Sequence, residues 1–278
     1  GAIPVFVDVG KNTYNLCHKN LLNAIENCKK KNLKIKAIMP VDLYGLPANY
    51  DKINSIAKSY NLNVIADAAQ SFGGVFREKK VGKLTEITTT SFFPAKPLGC
   101  YGDGGAIFTD NPNIKEKLES LRSHGKGKDK YDINYMGMNA RLDTIQAAIL
   151  LSKLEIFDWE IKERNRIAKI YSEELKSSYH IPMIPEDSAS VWAQYTMQST
   201  KRDKVMSFLK DNKIPSMIYC PKPMHEQPAY KNFTLNKDLS ESSNLSKKVF
   251  SIPIHPYLTD LEVEYIIENL KKAKSLFL

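Results

Sequence analysis

Two rhythms alternate along the first half of the chain. Short apolar or β-branched runs, PVFVDV (4–9), KIKAIMPV (34–41), NVIADAA (63–69), EITTTSFF (86–93) and GAIFTD (105–110), predict strands. Between them, HKNLLNAIENCKKK (18–31) sets Leu21, Leu22, Ile25 and Cys28 on one helical face. YDKINSIAKSYN (50–61) does the same with Ile53, Ile56 and Ala57. Strands alternating with helices predict an α/β fold, with a mostly parallel sheet covered on both sides. Ligands of such sheets bind outside the carboxyl ends of the strands. Asp67 and the segment 91–96 fall at or just past strand ends, in the expected crevice.

From Leu142 the pattern changes. The stretch 141–178 is helical in period and contains no glycine or proline, which predicts one bent helix or two. HIPMIPEDSAS (180–190) has the composition of a connector. SVWAQYTMQST (190–200) alternates Val191, Ala193, Tyr195 and Met197 like a half-buried strand. RDKVMSFLKDNKI (202–214) predicts a helix, and 259–277 a closing helix whose capping box runs from Thr259 to Glu262. The division that follows is a large domain over 1–153, and a long linking helix with a small α+β domain over 154–278. No internal repeat or low-complexity segment interrupts it. The chain opens directly on GAIPVFVDV, without a preceding cap or turn, and so reads as the interior of a longer protein.

The chain has 278 residues, 42% of them hydrophobic, enough to bury one large core or two smaller ones. No run approaches the roughly 20 apolar residues of a membrane helix, and no secretory signal pattern is present. Cys17, Cys28, Cys100 and Cys220 form no CxxC pair and no metal-ligand spacing. A reduced, cytoplasmic protein without a metal is expected. The net charge of +9 is spread along the chain, and its densest run, CKKKNLKIK (28–36), lacks interleaved aromatics. Dispersed charge of this kind gives non-specific attraction only, which argues against a nucleic-acid partner.

The residue that stands out is Lys96, in SFFPAKPLGCYGDGG (91–105). A lysine is ordinarily a solvent-exposed side chain. This one follows a strand end, has apolar flanks and precedes glycines at 99, 102, 104 and 105. Desolvation favours the neutral amine, the form that reacts with a carbonyl. Glycines let a backbone approach a ligand closely, although a plain tight turn would use them too. The spacing is neither the dinucleotide GxGxxG nor a P-loop. Asp67, in VIADAAQSFGG (64–74), is either a helix N-cap or a partner for a protonated ring nitrogen such as that of pyridoxal phosphate. Ser91 either binds a phosphate or ends a strand. Arg141, in GMNARLD (137–143), is either a surface ion-pair residue or a clamp for an anionic substrate.

Taken in order, VIADAAQSFGG, TTTSFFPAKPLGCYGDGGAIFTD (88–110) and GMNARLDTIQAAILLSKLE (137–155) resemble the DegT/DnrJ/EryC1/StrS family of sugar aminotransferases. KAIMPVDLYGLPANYDKI (36–53) and PKPMHEQPAY (221–230) resemble further blocks of it, so the likeness covers nearly the whole chain. It implies the pyridoxal-phosphate-dependent transferase fold of type I, like aspartate aminotransferase. It implies pyridoxal 5′-phosphate held covalently by Lys96, with Asp67 under the pyridine nitrogen and Gln70 beside the ring. Ser91 matches the phosphate-binding hydroxyl. Asn139 matches an asparagine that reaches the phosphate of the neighbouring subunit's cofactor, which makes a homodimer part of the site. Arg141, Tyr219 and His225 lie where substrate is met.

The implied reaction moves an amino group from glutamate, leaving 2-oxoglutarate, to a nucleotide-linked keto sugar. The lysine block is most similar to enzymes acting on UDP-2-acetamido-3-keto sugars or their uronates, in O-antigen, lipopolysaccharide and related surface-glycan pathways. Two departures stand against the pattern. The family's N-terminal segment, which helps to cradle the phosphate and stacks an aromatic on the ring, is absent here. Where relatives acting on the 3-keto uronate carry His-Tyr-Pro, this chain has Tyr219-Cys220-Pro221. Family members that use the cofactor for dehydration replace the lysine with histidine, which Lys96 argues against. The remaining alternative is a non-catalytic or incomplete relative that binds the cofactor or dimerises without turnover.

Overall fold

The computed structural model describes residues 2–129, 131–233, 235–236 and 238–277. In chain order the elements are α1 (His18–Lys30), β1 (Ala37–Ile38), α2 (Tyr50–Ser59), β2 (Asn63–Asp67), β3 (Val75–Phe76), β4 (Lys79–Lys80), β5 (Ile87–Ser91), β6 (Gly105–Phe108), α3 (Pro112–Arg122), α4 (Thr144–Leu175), β7 (Ser188–Ala189), β8 (Tyr195–Gln198), α5 (Arg202–Asp211), α6 (Ser240–Ser246), β9 (Val249–Ile252) and α7 (Asp260–Phe277).

A four-stranded sheet runs in the order β1-β2-β5-β6. The first three strands are parallel and β6 is antiparallel to β5. The crossover from β1 to β2 runs through α2, whose Tyr50, Ile53, Ile56 and Ala57 are buried. That face joins Leu21 and Ile25 of α1 with Ile38, Val64 and Ala66 of the sheet in one core cluster. A second and larger core lies in the C-terminal half. There Ile167, Tyr171 and Leu175 of α4 meet β8, β9, α5 and α7 around Tyr195, Met197, Phe250 and Leu270, all four wholly buried. α4 is a single helix of 32 residues that reaches both regions, through Leu150 and Phe157 at one end and Leu175 at the other.

Three local expectations are corrected. Residues 4–9 form no strand, because they lack a ladder partner and Val9 makes only an isolated bridge to Leu16. They dock instead through buried Asp8, whose two oxygens accept the Glu241 and Ser242 amides at 2.7 and 2.8 Å and cap α6. Leu22 is exposed, and Ala24 takes its place on the buried face of α1. The strand around Tyr195 is buried on both faces, so its polar residues carry internal bonds. Thr196 pairs with Ser251 across β9 at 2.8 Å, and Gln198 donates to the Tyr14 hydroxyl at 3.1 Å. The closing capping box forms as expected, with the Glu262 amide donating to Thr259 Oγ1 at 3.3 Å and the Thr259 amide to Glu262 at 2.8 Å.

Candidate active site

β2 ends on Asp67, and its backbone is held on both sides. The Asp67 amide donates to the Pro40 carbonyl at 2.9 Å, and its carbonyl accepts the Asp42 amide at 2.9 Å. On the other flank the Ala68 amide donates to Thr89 of β5 at 2.8 Å, and the Thr90 hydroxyl to the Ala68 carbonyl at 3.0 Å. The side chain accepts the Ala69 amide on Oδ1 at 3.0 Å. Its Oδ2 makes no hydrogen bond among the described residues. Asp67 lies opposite Thr89 in the parallel ladder, and Ser91 follows two residues on. The two side chains therefore sit at the carboxyl ends of neighbouring strands.

The segment after β5 turns back at once. Ser91 Oγ accepts the Phe93 amide at 3.2 Å, and the Lys96 amide donates to the Phe93 carbonyl at 2.8 Å. Gly99 closes this turn, since a Cβ there would meet the Phe93 and Pro94 carbonyl oxygens at 2.7 and 2.6 Å. Lys153 of α4 clamps the loop from outside, its Nζ 2.6 Å from the Gly99 carbonyl. Lys96 is half-buried. The apolar flanks expected around it are open on one side, where Phe93 is 50% exposed.

Gln70 accepts the Tyr44 amide on Oε1 at 2.6 Å. That bond holds Tyr44 in the left-handed region at φ 60° and leads into Gly45 at φ 101°. A Cβ on Gly45 would lie 2.7 Å from the Ala193 nitrogen, and Val191 donates to its carbonyl at 3.0 Å. Gln70 is thus tied to the chain entering β8. The Tyr44 hydroxyl faces the Cys220 thiol, and both pKa values rise because both groups are buried.

The other expected site residues are placed differently. Asn139 and Arg141 are exposed, in a segment that bonds back to the end of α3 through Ser123 and Arg122. Tyr219 is 55% exposed. His225 is held by Ser243 Oγ, 3.1 Å from Nε2, beside Glu226 and the Phe6 ring. Among the described residues none of these four hydrogen-bonds to Asp67, Gln70, Ser91 or Lys96.

One residue escaped the sequence reading. Asp42 has no exposed surface, and it accepts the Ala48 amide (2.8 Å), the Tyr50 hydroxyl (2.7 Å) and the Ser71 hydroxyl (2.6 Å). Burial pushes its carboxyl up to about 6 against the pull of these three donors, and the Asp67 charge adds to the rise. An acidic residue inside the apolar run IMPVDLYG was the signal.

The DegT/DnrJ/EryC1/StrS aminotransferase family matches residues 1–271. The chain belongs to this family. The UDP-2-acetamido-2-deoxy-3-oxo-D-glucuronate aminotransferase of Pseudomonas aeruginosa is 42% identical over 271 residues, covering 97% of this chain and 73% of that protein. A crystal structure of a DegT/DnrJ/EryC1/StrS aminotransferase from Brucella abortus superposes with a TM-score of 0.96 at 45% identity, covering 98% of this chain and 74% of that one. The NtdA structure from Bacillus subtilis, with bound cofactor PMP, superposes at 0.86 and 28% identity, covering 98% of this chain and 62% of that one. The fold expected from the sequence, an α/β aminotransferase of this class, is thereby shown.

Proposed function

We propose that the chain is a pyridoxal-phosphate-dependent aminotransferase that moves an amino group from glutamate to a nucleotide-linked keto sugar. A UDP-2-acetamido-3-keto sugar or its uronate is the acceptor, in surface-glycan biosynthesis in the cytoplasm. The carrying observation is the half-buried Lys96 on a turn closed by Gly99, next to a strand that ends in Asp67 with one oxygen unengaged. This donor set fits the cofactor: an amine for its aldehyde, a carboxylate for its ring nitrogen and the Ser91 hydroxyl for its phosphate. Bound there, the cofactor supplies an electron sink for the carbanion that forms when a proton leaves the donor's Cα.

The chain's own residues do the rest. Lys96 would hold the cofactor's aldehyde, and its Nζ would take the proton from the donor's Cα as a base and return it as an acid. Asp67, with Oδ1 on the Ala69 amide, would offer its other carboxylate oxygen to the ring nitrogen. Gln70, whose Oε1 accepts the Tyr44 amide, would border the ring. Arg141, Tyr219 and His225 meet the sugar nucleotide. Residues 1–153 would bind the cofactor and include the first turns of the linking helix α4, which starts at Thr144; the rest of α4 and the smaller α+β domain lie in 154–278.

A second copy of the chain completes the site. Ile133, Met136, Met138, Ile145 and Leu151 are 60 to 100% exposed around Asn139. An apolar face of that kind supports a homodimer interface, with Asn139 reaching the partner's cofactor phosphate.

The test adds pyridoxal phosphate to the purified chain, follows its visible spectrum and then titrates in glutamate. A protein-bound band that is lost on adding glutamate, and absent in Lys96→Ala, supports the reading. Glutamate conversion by Lys96→Ala at the wild-type rate sinks it. A band that glutamate leaves unchanged favours a binder without turnover.

A further inference from the structure

Lys96 sits at the boundary between an exposed arm of its loop and a buried one. Phe93, Pro94 and Ala95 before it are exposed, whereas Pro97, Leu98, Gly99 and Cys100 after it are buried. The arm that follows is therefore the one that packing can fix. It lies against residues 146, 150, 153 and 157 of α4, whose spacings of four, three and four make one helical stripe. Leu150 and Phe157 pack with Leu98 and Cys100 in one apolar cluster. The two polar members of the stripe hold backbone. Gln146 Oε1 accepts the Tyr101 amide at 2.8 Å, and Lys153 Nζ donates to the Gly99 carbonyl at 2.6 Å. Among the described residues that carbonyl has no other hydrogen-bond partner. Lys153 is half-buried, with Nζ 5.8 Å from the centre of the Tyr101 ring, and no carboxylate among the described residues pairs with it. Packing alone would favour an apolar side chain here over a cation without a counter-ion.

We propose that Lys153 is a positioning residue for Lys96: by tethering Gly99 to α4, it fixes where the Lys96 amine stands relative to the cofactor's aldehyde. A charged donor on a carbonyl is a stronger tether than a neutral one. The link to Lys96 is short and has no slack. Gly99 is pressed against the Phe93 and Pro94 carbonyls, where even a Cβ would not fit, and the Phe93 carbonyl accepts the Lys96 amide at 2.8 Å. Gln146 adds a neutral tether two residues further on. The affinity of the site for an aldehyde then depends on Lys153, while its affinity for the ring and phosphate does not. The proposal rests on the reading of Lys96 as the amine that meets that aldehyde.

Lys153→Met removes the donor and keeps the length of the side chain. In the cofactor-free chain, hydrogen exchange of the Cys100 amide, which donates to the Phe92 carbonyl, should speed up about tenfold or more relative to the amides of β8. No change, or an equal change at both, overturns the tether. Binding of pyridoxal phosphate is then compared with that of pyridoxine 5′-phosphate, which carries an alcohol in place of the aldehyde. In Lys153→Met the first should weaken about tenfold or more and the second by no more than about twofold. Lys153→Arg, which keeps a charged donor, should restore the first. Equal weakening of both ligands would make Lys153 merely structural and overturns the proposal. So does an unchanged affinity for pyridoxal phosphate, or a loss that Lys153→Arg does not recover. Lys96→Ala is the control. If it binds pyridoxal phosphate as tightly as the wild type, the reading of Lys96 fails and the proposal falls with it.

Discussion

Replacing Asp42 by asparagine removes a charge and almost no shape. The amide oxygen can still accept from Ala48 and Tyr50, and the amide nitrogen can donate to a rotated Ser71 hydroxyl. The variant therefore isolates the cost of ionising a buried carboxyl. Folding raises the Asp42 pKa from 3.8 to about 6, mainly through burial. The shift of about 2 pH units corresponds to about 3 kcal/mol. The sign follows from proton counting. Below the unfolded value both states hold the proton and no stability is lost. Between about pH 4 and pH 6 the unfolded chain releases the proton while the folded chain keeps it, so stability falls as pH rises. Above about 6 the loss is complete. Glu174 and Glu262 have depressed values and push stability the other way over neighbouring pH, but they are common to both proteins and cancel in the difference. Urea unfolding of the wild type and Asp42→Asn at pH 4 and pH 7 gives that difference. Asp42→Asn should gain about 2.5 kcal/mol relative to the wild type on going from pH 4 to pH 7, since at pH 4 the unfolded carboxyl is already partly ionised. A difference that does not change with pH would show that Asp42 ionises freely in the fold and would refute the argument.

Other substitutions probe the scaffold around the site. Gly45→Ala should destabilise by about 3 kcal/mol in urea unfolding and weaken pyridoxal phosphate binding, because φ is 101° there and its Cβ would press on the Ala193 and Trp192 nitrogens. Thr259→Ala should cost about 1 kcal/mol by removing the cap of α7. Leu270→Ala, in the wholly buried C-terminal core, should cost about 3 kcal/mol, and unchanged thermal stability would contradict the packing described. On the proposed homodimer, Ile145→Asp, at a side chain 73% exposed, should leave the circular dichroism spectrum unchanged and shift sedimentation from dimer to monomer.

Much of this site was legible because its signals are local. A strand ending in Asp67 and a second ending in Ser91 follow from β-branched runs with a polar stop, and the structure keeps both ends at neighbouring positions of one sheet. The glycine after Lys96 carried meaning as well, since at Gly99 a side chain would strike two carbonyl oxygens. What escaped was long-range. The Val- and Phe-rich run 4–9 looked like a strand, but Asp8 is used 233 residues away as a cap on α6. The alternation through Tyr195 looked half-buried, but β9 and Tyr14 supply partners for its polar residues. Periodicity records which side chains are apolar. It does not record which polar ones will find a partner inside.

The same limit hid the link between the two cores. Gln70 borders the Asp67 turn, yet its hydrogen bond goes to the Tyr44 amide, and the next two carbonyl bonds run from Val191 and Gln194 to Gly45 and Tyr44. Arg164 of α4 holds the far side of this junction, donating from Nη1 to the carbonyls of Trp192 and Ile254 at 3.1 Å each. Burial lowers its pKa, and its Nε finds no partner among the described residues. A buried cation with an unsatisfied donor is expensive, and it is retained where backbone from two segments must be held in one arrangement. Gln70 and residues 191–194 are therefore held by the same Tyr44–Gly45 backbone. A substitution in that segment, far from any reacting atom, is expected to register first as weaker cofactor binding and only then as lost stability.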